Sequence, residues 1–291
     1  MKQNLLNINQ NKILFWDIES ARQNKELEYP SKEFDCYNWK IRNKETDEFL
    51  SVDEVKEHYK QRAALNPIYG KIICITVGFI YEDSKIRIKT FKGEEKQILK
   101  EFVELVEKLS DYLLCAWNQE FDLPYLRKRF IINGLTDYLS DKNGNDAGER
   151  PWSVKGLLDL MGIWKGISFY NDGLAEVAMS LGLDSPKEEL NGSQVSEVYY
   201  NEGIDKILEY NVKDVLTLIN IFRKLTYREP ILDYDISQPK IQNPPLLNKI
   251  FNTGKVTEED NDRLINIVNT LDEKDTVIAN EIIKIVSPKP K

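Results

Sequence analysis

Ile13-Leu14-Phe15-Trp16 is a dense apolar run that turns polar at Asp17-Ile18-Glu19, and Lys12–Glu19 is predicted as a buried strand. Side chains on a strand alternate between faces, so Asp17 and Glu19 share one face while Ile18 points into a core. Lys71–Tyr81 is again β-rich. Glu82-Asp83-Ser84 makes a turn, after which Lys85, Arg87 and Lys89 alternate with Ile86, Ile88 and Thr90, as in a hairpin with one solvated face. Between these strands Ala21–Gly70 is charged and reads as an insertion, with a helix around Val52–Ala64.

The period then changes. Ile98, Phe102, Leu105, Val106 and Leu109 fall at helical spacing within Glu94–Leu109, and Tyr112–Trp117 is a short apolar strand. Pro124 marks a helix start near Asp122, because proline suits a first turn that does not need its N–H. Leu157–Leu160 reads as a short strand, and Asp172–Leu181 and Ile204–Leu225 as helices. Strands alternating with helices after an early hairpin predict an α/β fold with a sheet of mixed direction.

After Arg228 the prolines 230, 239, 244 and 245 break regular structure. Thr257-Glu-Glu-Asp260 then opens one helix and Asp275–Val286 covers another. The expected organisation is a domain over 1–228, with its insertion at about 21–70, and a helical C-terminal extension over 229–291.

Composition narrows the function classes. A chain of 291 residues with 41% hydrophobic content builds a core without staples, and the three cysteines, 36, 74 and 115, are unclustered and show no zinc spacing. Met1–Asn11 lacks the apolar core of a signal peptide, and no run approaches the ~20 apolar residues of a membrane span, so a cytoplasmic protein with no membrane partner is expected. The net charge of −8 argues against tight sequence-independent binding of long duplex, which rests on basic neutralisation of phosphates. It leaves room for an enzyme that holds one strand end through metal ions, since the metals supply local positive charge.

Three segments carry candidate chemistry. Asp17 and Glu19, side by side, repel each other unless a cation lies between them, although a wet strand end also explains two acids. Asn118-Gln-Glu-Phe121-Asp122 follows the strand ending at Trp117, where Asp122 could equally be an ordinary first-turn acid. Tyr210-Asn-Val-Lys-Asp214 places Tyr210 and Asp214 one turn apart on a helix face; a core tyrosine with a surface acid is the plain alternative.

Taken in order, the acid pair, the Asn-x-x-Phe-Asp segment and Tyr-x-x-x-Asp resemble the DEDD, or DnaQ-like, 3′-5′ exonuclease superfamily in its tyrosine-type subgroup. Leu190-Asn-Gly-Ser-Gln-Val195, followed by Ile204-x-x-Ile-x-x-Tyr210, is similar to predicted exonucleases related to the proofreading domain of family-B DNA polymerases. The resemblance covers about Lys12–Leu225. The sister subgroup has a histidine five residues before the last aspartate; here that position is Glu209, and the single histidine is His58, in the insertion. An acid usually precedes the Gly-Ser of the late motif, where this chain has Asn191.

The resemblance implies a ribonuclease H-like mixed sheet flanked by helices. It also implies two Mg²⁺ or Mn²⁺ ions held by Asp17, Glu19, Asp122 and Asp214, with Asp17 bridging and Tyr210 orienting the attacking water. The implied reaction releases nucleotides from the 3′ end of nucleic acid, single-stranded DNA being favoured over RNA; an exoribonuclease and an inactive end-binding module are the alternatives. Phe121 and Asn118 are candidate substrate contacts. Asp159, in Leu-Leu-Asp-Leu-Met161, is a capping or supporting acid, or else a contact to metal or terminal nucleotide. Arg127, Lys128 and Arg129 either meet backbone phosphates or form a solvated helix face. The C-terminal extension is a candidate docking element for a replication or repair protein.

Overall fold

The computed structural model describes residues 5–109, 111–135, 156–184, 190 and 192–236. The chain divides into two compact units, Met1–Ser237 and Gln238–Lys291, and the described residues all lie in the first. The two helices expected in the C-terminal extension fall outside the described residues.

Six strands form one sheet: β1 (Ile13–Arg22), β2 (Gly70–Tyr81), β3 (Lys85–Lys92), β4 (Leu113–Ala116), β5 (Leu157–Asp159) and β6 (Tyr234–Ile236). Their order is β5-β4-β1-β2-β3-β6. β1, β2 and β3 form an antiparallel meander, whereas β4 is parallel to β1 and β5 to β4. This is the ribonuclease H-like mixed sheet. β6, a three-residue exposed strand parallel to β3, follows Arg228 and extends the sheet to Ile236.

Helices cover both faces. On one, Leu14, Trp16 and Ile18 of β1 pack with α3 (Glu95–Lys108) and α4 (Gln119–Ile132) through Ile98, Leu99, Phe102, Leu126 and Phe130. On the other, Ile13 and Phe15 pack against Val215, Leu218, Ile219 and Phe222 of the 21-residue α8 (Asp205–Leu225), with α6 (Leu174–Ser180) beside it. Phe15 and Phe222 meet edge to face at 5.5 Å. The period-2 alternation of β1 thus sends its even residues to one core and its odd residues to the other. Gly78, opposite Phe15, admits α8 closely: a Cβ there would lie 2.9 Å from Val215 Cγ1 and 3.0 Å from Ile219 Cδ1.

Some short elements were not anticipated. The insertion contains α1 (Lys32–Ile41) as well as α2 (Val52–Arg62). Ser31 Oγ accepts from Phe34 N to cap α1, and a Ser51/Glu54 capping box starts α2. Phe34, Tyr37, Val55, Tyr59 and Tyr69 give the insertion its own core. It returns to the main sheet at Ala64, whose carbonyl accepts from Ser20 Oγ at 3.0 Å and from Tyr125 Oη at 2.9 Å. α5 (Leu160–Lys165) and α7 (Val195–Asn201) fill two further connections. α4 begins at Gln119, three residues before the expected start, so Pro124 lies inside the helix.

Candidate metal centre

α8 presents a stripe of buried residues, Ile207, Tyr210, Asn211, Asp214, Val215, Leu218, Ile219 and Phe222, at three- and four-residue spacing. Three polar side chains interrupt an otherwise apolar face. Along the odd face of β1, Ile13 and Phe15 give way to Asp17 and Glu19, and Ala21 then returns to an apolar cluster with Ile207 and Tyr210. The polar interruptions on helix and strand coincide, which sets a belt of acids between two apolar clusters.

Asp17, Glu19 and Asp214 each bring a carboxylate oxygen to the same point, the three atoms lying within 4.8 Å of one another. Asp122 joins from the first turn of α4 as a charged neighbour of both Asp17 and Glu19, without entering that closest group. Glu19, Asp122 and Asp214 are buried, at 8%, 6% and 8% exposure, so water screens them poorly. Burial, then repulsion from Asp122, Asp214 and Glu19, raises the Asp17 carboxyl well above its ordinary range. Burial and the charges of Asp214 and Asp122 do the same to Glu19. Burial, with Asp159 beside it, pushes Asp122 up to about 8. The all-oxygen donors, crowded and negatively charged, fit a hard divalent cation such as Mg²⁺ or Mn²⁺.

Tyr210 is buried and hydrogen-bonded to Asp214 one turn along α8. Burial and the carboxylates of Asp214, Glu19 and Asp17 raise its phenol further above its usual value, so it stays protonated at neutral pH. Glu209, in the slot of the absent histidine, is exposed.

The remaining candidates separate by their partners. Asp159 ends β5 and caps α5, its Oδ1 accepting from Gly162 N at 3.1 Å. Asn118 precedes α4, and its buried Oδ1 has no hydrogen-bond partner among the described residues. Phe121 is half-buried, its ring 5.6 Å from that of Tyr125. Arg129 is withdrawn from any phosphate: it is buried, Nε donates to Glu95 Oε1 at 2.7 Å, and Nη1 donates to the Pro67 carbonyl at 2.8 Å. Lys128 is exposed. His58 packs within the insertion, with Nδ1 3.0 Å from Tyr37 Oη. Asn191 lies outside the described residues.

Two buried polar residues of this belt were missed. Asn211 Nδ2 donates to Asp17 Oδ2 at 2.6 Å, and Thr76, opposite Asp17 on β2, pairs with Thr90 through their hydroxyls at 2.8 Å. Asn211 left a sequence signal, an amide on the buried stripe of a long amphipathic helix. Thr76, within a strand of β-branched residues, left none.

Residues 64–244, more than half of the chain, match the family described as "Predicted 3'-5' exonuclease related to the exonuclease domain of PolB". The matched stretch contains Asp122, Tyr210 and Asp214; Asp17 and Glu19 precede it. No curated protein matches the chain. Among solved structures, the family B DNA polymerase from the hyperthermophilic archaeon Pyrobaculum calidifontis aligns at 19% identity with a TM-score of 0.49, over 73% of this chain and 24% of that one. The chain thus corresponds to about a quarter of that polymerase. No helix of the described residues is long and apolar enough to cross a membrane.

Proposed function

The chain belongs to the family of predicted 3′-5′ exonucleases related to the exonuclease domain of PolB, and on that basis we propose that it removes nucleotides from the 3′ end of single-stranded DNA with two Mg²⁺ or Mn²⁺ ions. The observation that carries this reading is the convergence of Asp17, Glu19 and Asp214 from a central strand and the longest described helix, with Asp122 alongside. Four carboxylates are the charge that two divalent cations need when they sit a few ångströms apart. The cations supply Lewis acidity, making water nucleophilic at neutral pH and steadying charge on the departing 3′ oxygen.

The protein's own groups do the rest. Asp17, Glu19, Asp122 and Asp214 would hold the ions. Tyr210, a neutral phenol anchored on Asp214, orients the attacking water through a hydrogen bond and takes no proton itself. Asn118, at the start of α4, is a candidate substrate contact, and the ring of Phe121 gives the terminal base an apolar surface. Asp159 supports the centre by fixing the β5–α5 junction beside Asp122. We place the domain boundary after β6 rather than at residue 228, and a replication or repair partner on the extension that follows it. The free cysteines 36, 74 and 115 suit a cytoplasmic enzyme.

Oligonucleotides of DNA and RNA labelled at the 5′ end test the reading. A ladder of shortened DNA products in Mg²⁺ or Mn²⁺, abolished by EDTA and reduced by several orders of magnitude in Asp17→Ala and Asp214→Ala, is the expected result. A ladder from RNA alone makes the enzyme an exoribonuclease. Binding of 3′ ends without turnover in either metal refutes the nuclease reading.

A further inference from the structure

Asn211 stands one residue after Tyr210 and three before Asp214, with no exposed surface. Its carboxamide is engaged at both ends. Nδ2 donates to Asp17 Oδ2 at 2.6 Å, and Oδ1 lies 3.8 Å from the Cys74 thiol, which donates to it. As a metal ligand the Asp17 carboxylate is ionised and only accepts, so in that state the amide turns its nitrogen to Asp17 and its oxygen faces Cys74. The opposite orientation would set oxygen against oxygen at 2.6 Å and lose both bonds.

Cys74 reaches this position through a β-bulge. Glu19 pairs with Cys74 but Ser20 pairs with Ile72, so β2 carries Ile73 as an extra residue. Ile73 and Cys74 consequently both join the apolar cluster beneath α8, which regular alternation would forbid. The bulge lies beside Glu19, at the same level as the acids.

The arrangement answers a mechanical problem. Asp17 is repelled by Asp122, Asp214 and Glu19, and its side chain would swing away from them unless it were held. A lysine or arginine could hold it only by cancelling the negative charge that draws a cation. A neutral N–H donor holds the carboxylate and leaves the charge in place, as outer hydrogen bonds commonly do around metal ligands.

We propose that Asn211 is a positioning residue that fixes the carboxylate of Asp17 for metal binding, and that Cys74 fixes the direction of the Asn211 amide. The inference rests on the metal-dependent reading above. It assigns α8 a third contribution to the centre and gives the bulge in β2 a purpose.

Mn²⁺ binding to the protein without nucleic acid tests it, read as free Mn²⁺ by electron paramagnetic resonance, with melting temperature and circular dichroism measured on the same samples. Asn211→Leu, similar in size and without polar atoms, is expected to raise the Kd for Mn²⁺ by roughly 10- to 100-fold. Cys74→Ser, which keeps a donor, should hold the wild-type Kd, whereas Cys74→Val should weaken binding. A folded Asn211→Leu protein with the wild-type Kd overturns the proposal, because a merely structural amide lowers the melting temperature alone. Should Asn211→Leu fail to fold, the two Cys74 variants decide, and equal Kd values for them overturn it. Asp17→Ala is the reference. If it loses Mn²⁺ binding while Asn211→Leu does not, only the role of Asn211 falls; if it binds Mn²⁺ like wild type, the metal centre falls and takes that role with it.

Discussion

Val215 packs against Gly78 so closely that a Cβ on the glycine would stand 2.9 Å from Val215 Cγ1, and Val215 directly follows Asp214. The depth at which α8 lies on β2 therefore sets the height of Asp214 above Asp17. Gly78→Ala must displace Val215, Ile219 or Ile88 and is expected to cost about 1–3 kcal/mol of stability, as overpacking does. The same shift moves Asp214, and a misplacement near 1 Å can cost on the order of 100-fold in rate. Urea denaturation and oligonucleotide hydrolysis on one preparation check both effects.

Glu19→Gln should make the metal-free protein more stable and the enzyme inactive. Replacing one buried carboxylate relieves its repulsion from Asp214 and Asp122. A higher melting temperature than that of the unsubstituted protein is expected. Melting curves in EDTA, with and without the substitution, measure it; an equal or lower melting temperature contradicts the electrostatic account.

Metal-free stability should fall as pH rises. Asp17, Glu19 and Asp122 all have carboxyls raised on folding, so the folded protein keeps protons that the unfolded chain releases. Their contribution is complete below the unfolded values near 4 and is lost as pH passes through the folded values, about 8 for Asp122. Melting temperatures in EDTA should decline between pH 5 and 8, by about 2–4 °C for each kcal/mol. The decline should be shallower in Asp122→Asn, and saturating Mg²⁺ should largely remove it. A profile that Asp122→Asn leaves unchanged would exclude that residue as a contributor.

Asp159→Ala separates a capping acid from a metal ligand. Loss of the bond to Gly162 N should cost about 1 kcal/mol, the usual worth of such a cap. Hydrolysis should stay within several-fold of wild type, and a loss comparable to that of Asp214→Ala would make Asp159 a ligand.

Arg129→Ala is expected to destabilise by about 3–5 kcal/mol, because Glu95 would be left buried without its partner. Arg129→Ala combined with Glu95→Ala should recover part of that loss. Substrate KM should change little in whichever variant folds, in contrast to a phosphate-contacting arginine.

Long, strongly patterned segments were readable in the sequence. The twelve-residue β2 and the α8 stripe from Ile207 to Phe222 repeat their period often enough to leave no second interpretation. Asp17 and Glu19 were placed on one face by alternation alone, and the structure puts them there. What escaped was short or context-dependent. α5 has six residues, α7 seven and β6 three, too few to show a period, and they exist because neighbouring elements hold them. The start of α4 was misplaced because Pro124 usually marks a first turn, whereas packing of Tyr125, Leu126 and Phe130 carries this helix past it. Arg129 looked like its exposed neighbour Lys128 until Glu95, 34 residues away, claimed it. The partnership of Cys74 and Asn211, separated by 137 residues, depends on a strand irregularity with no local signature.

Because Asp214 sits mid-helix with apolar layers before and behind it, the centre has no freedom to slide. Translating α8 by one turn, about 5.4 Å, would carry Leu218 or Tyr210 to the level of Asp17 and drive a carboxylate into hydrocarbon. Asp214 and the strand pair therefore keep one spacing, locked by the same apolar layers that hold the helix on the sheet.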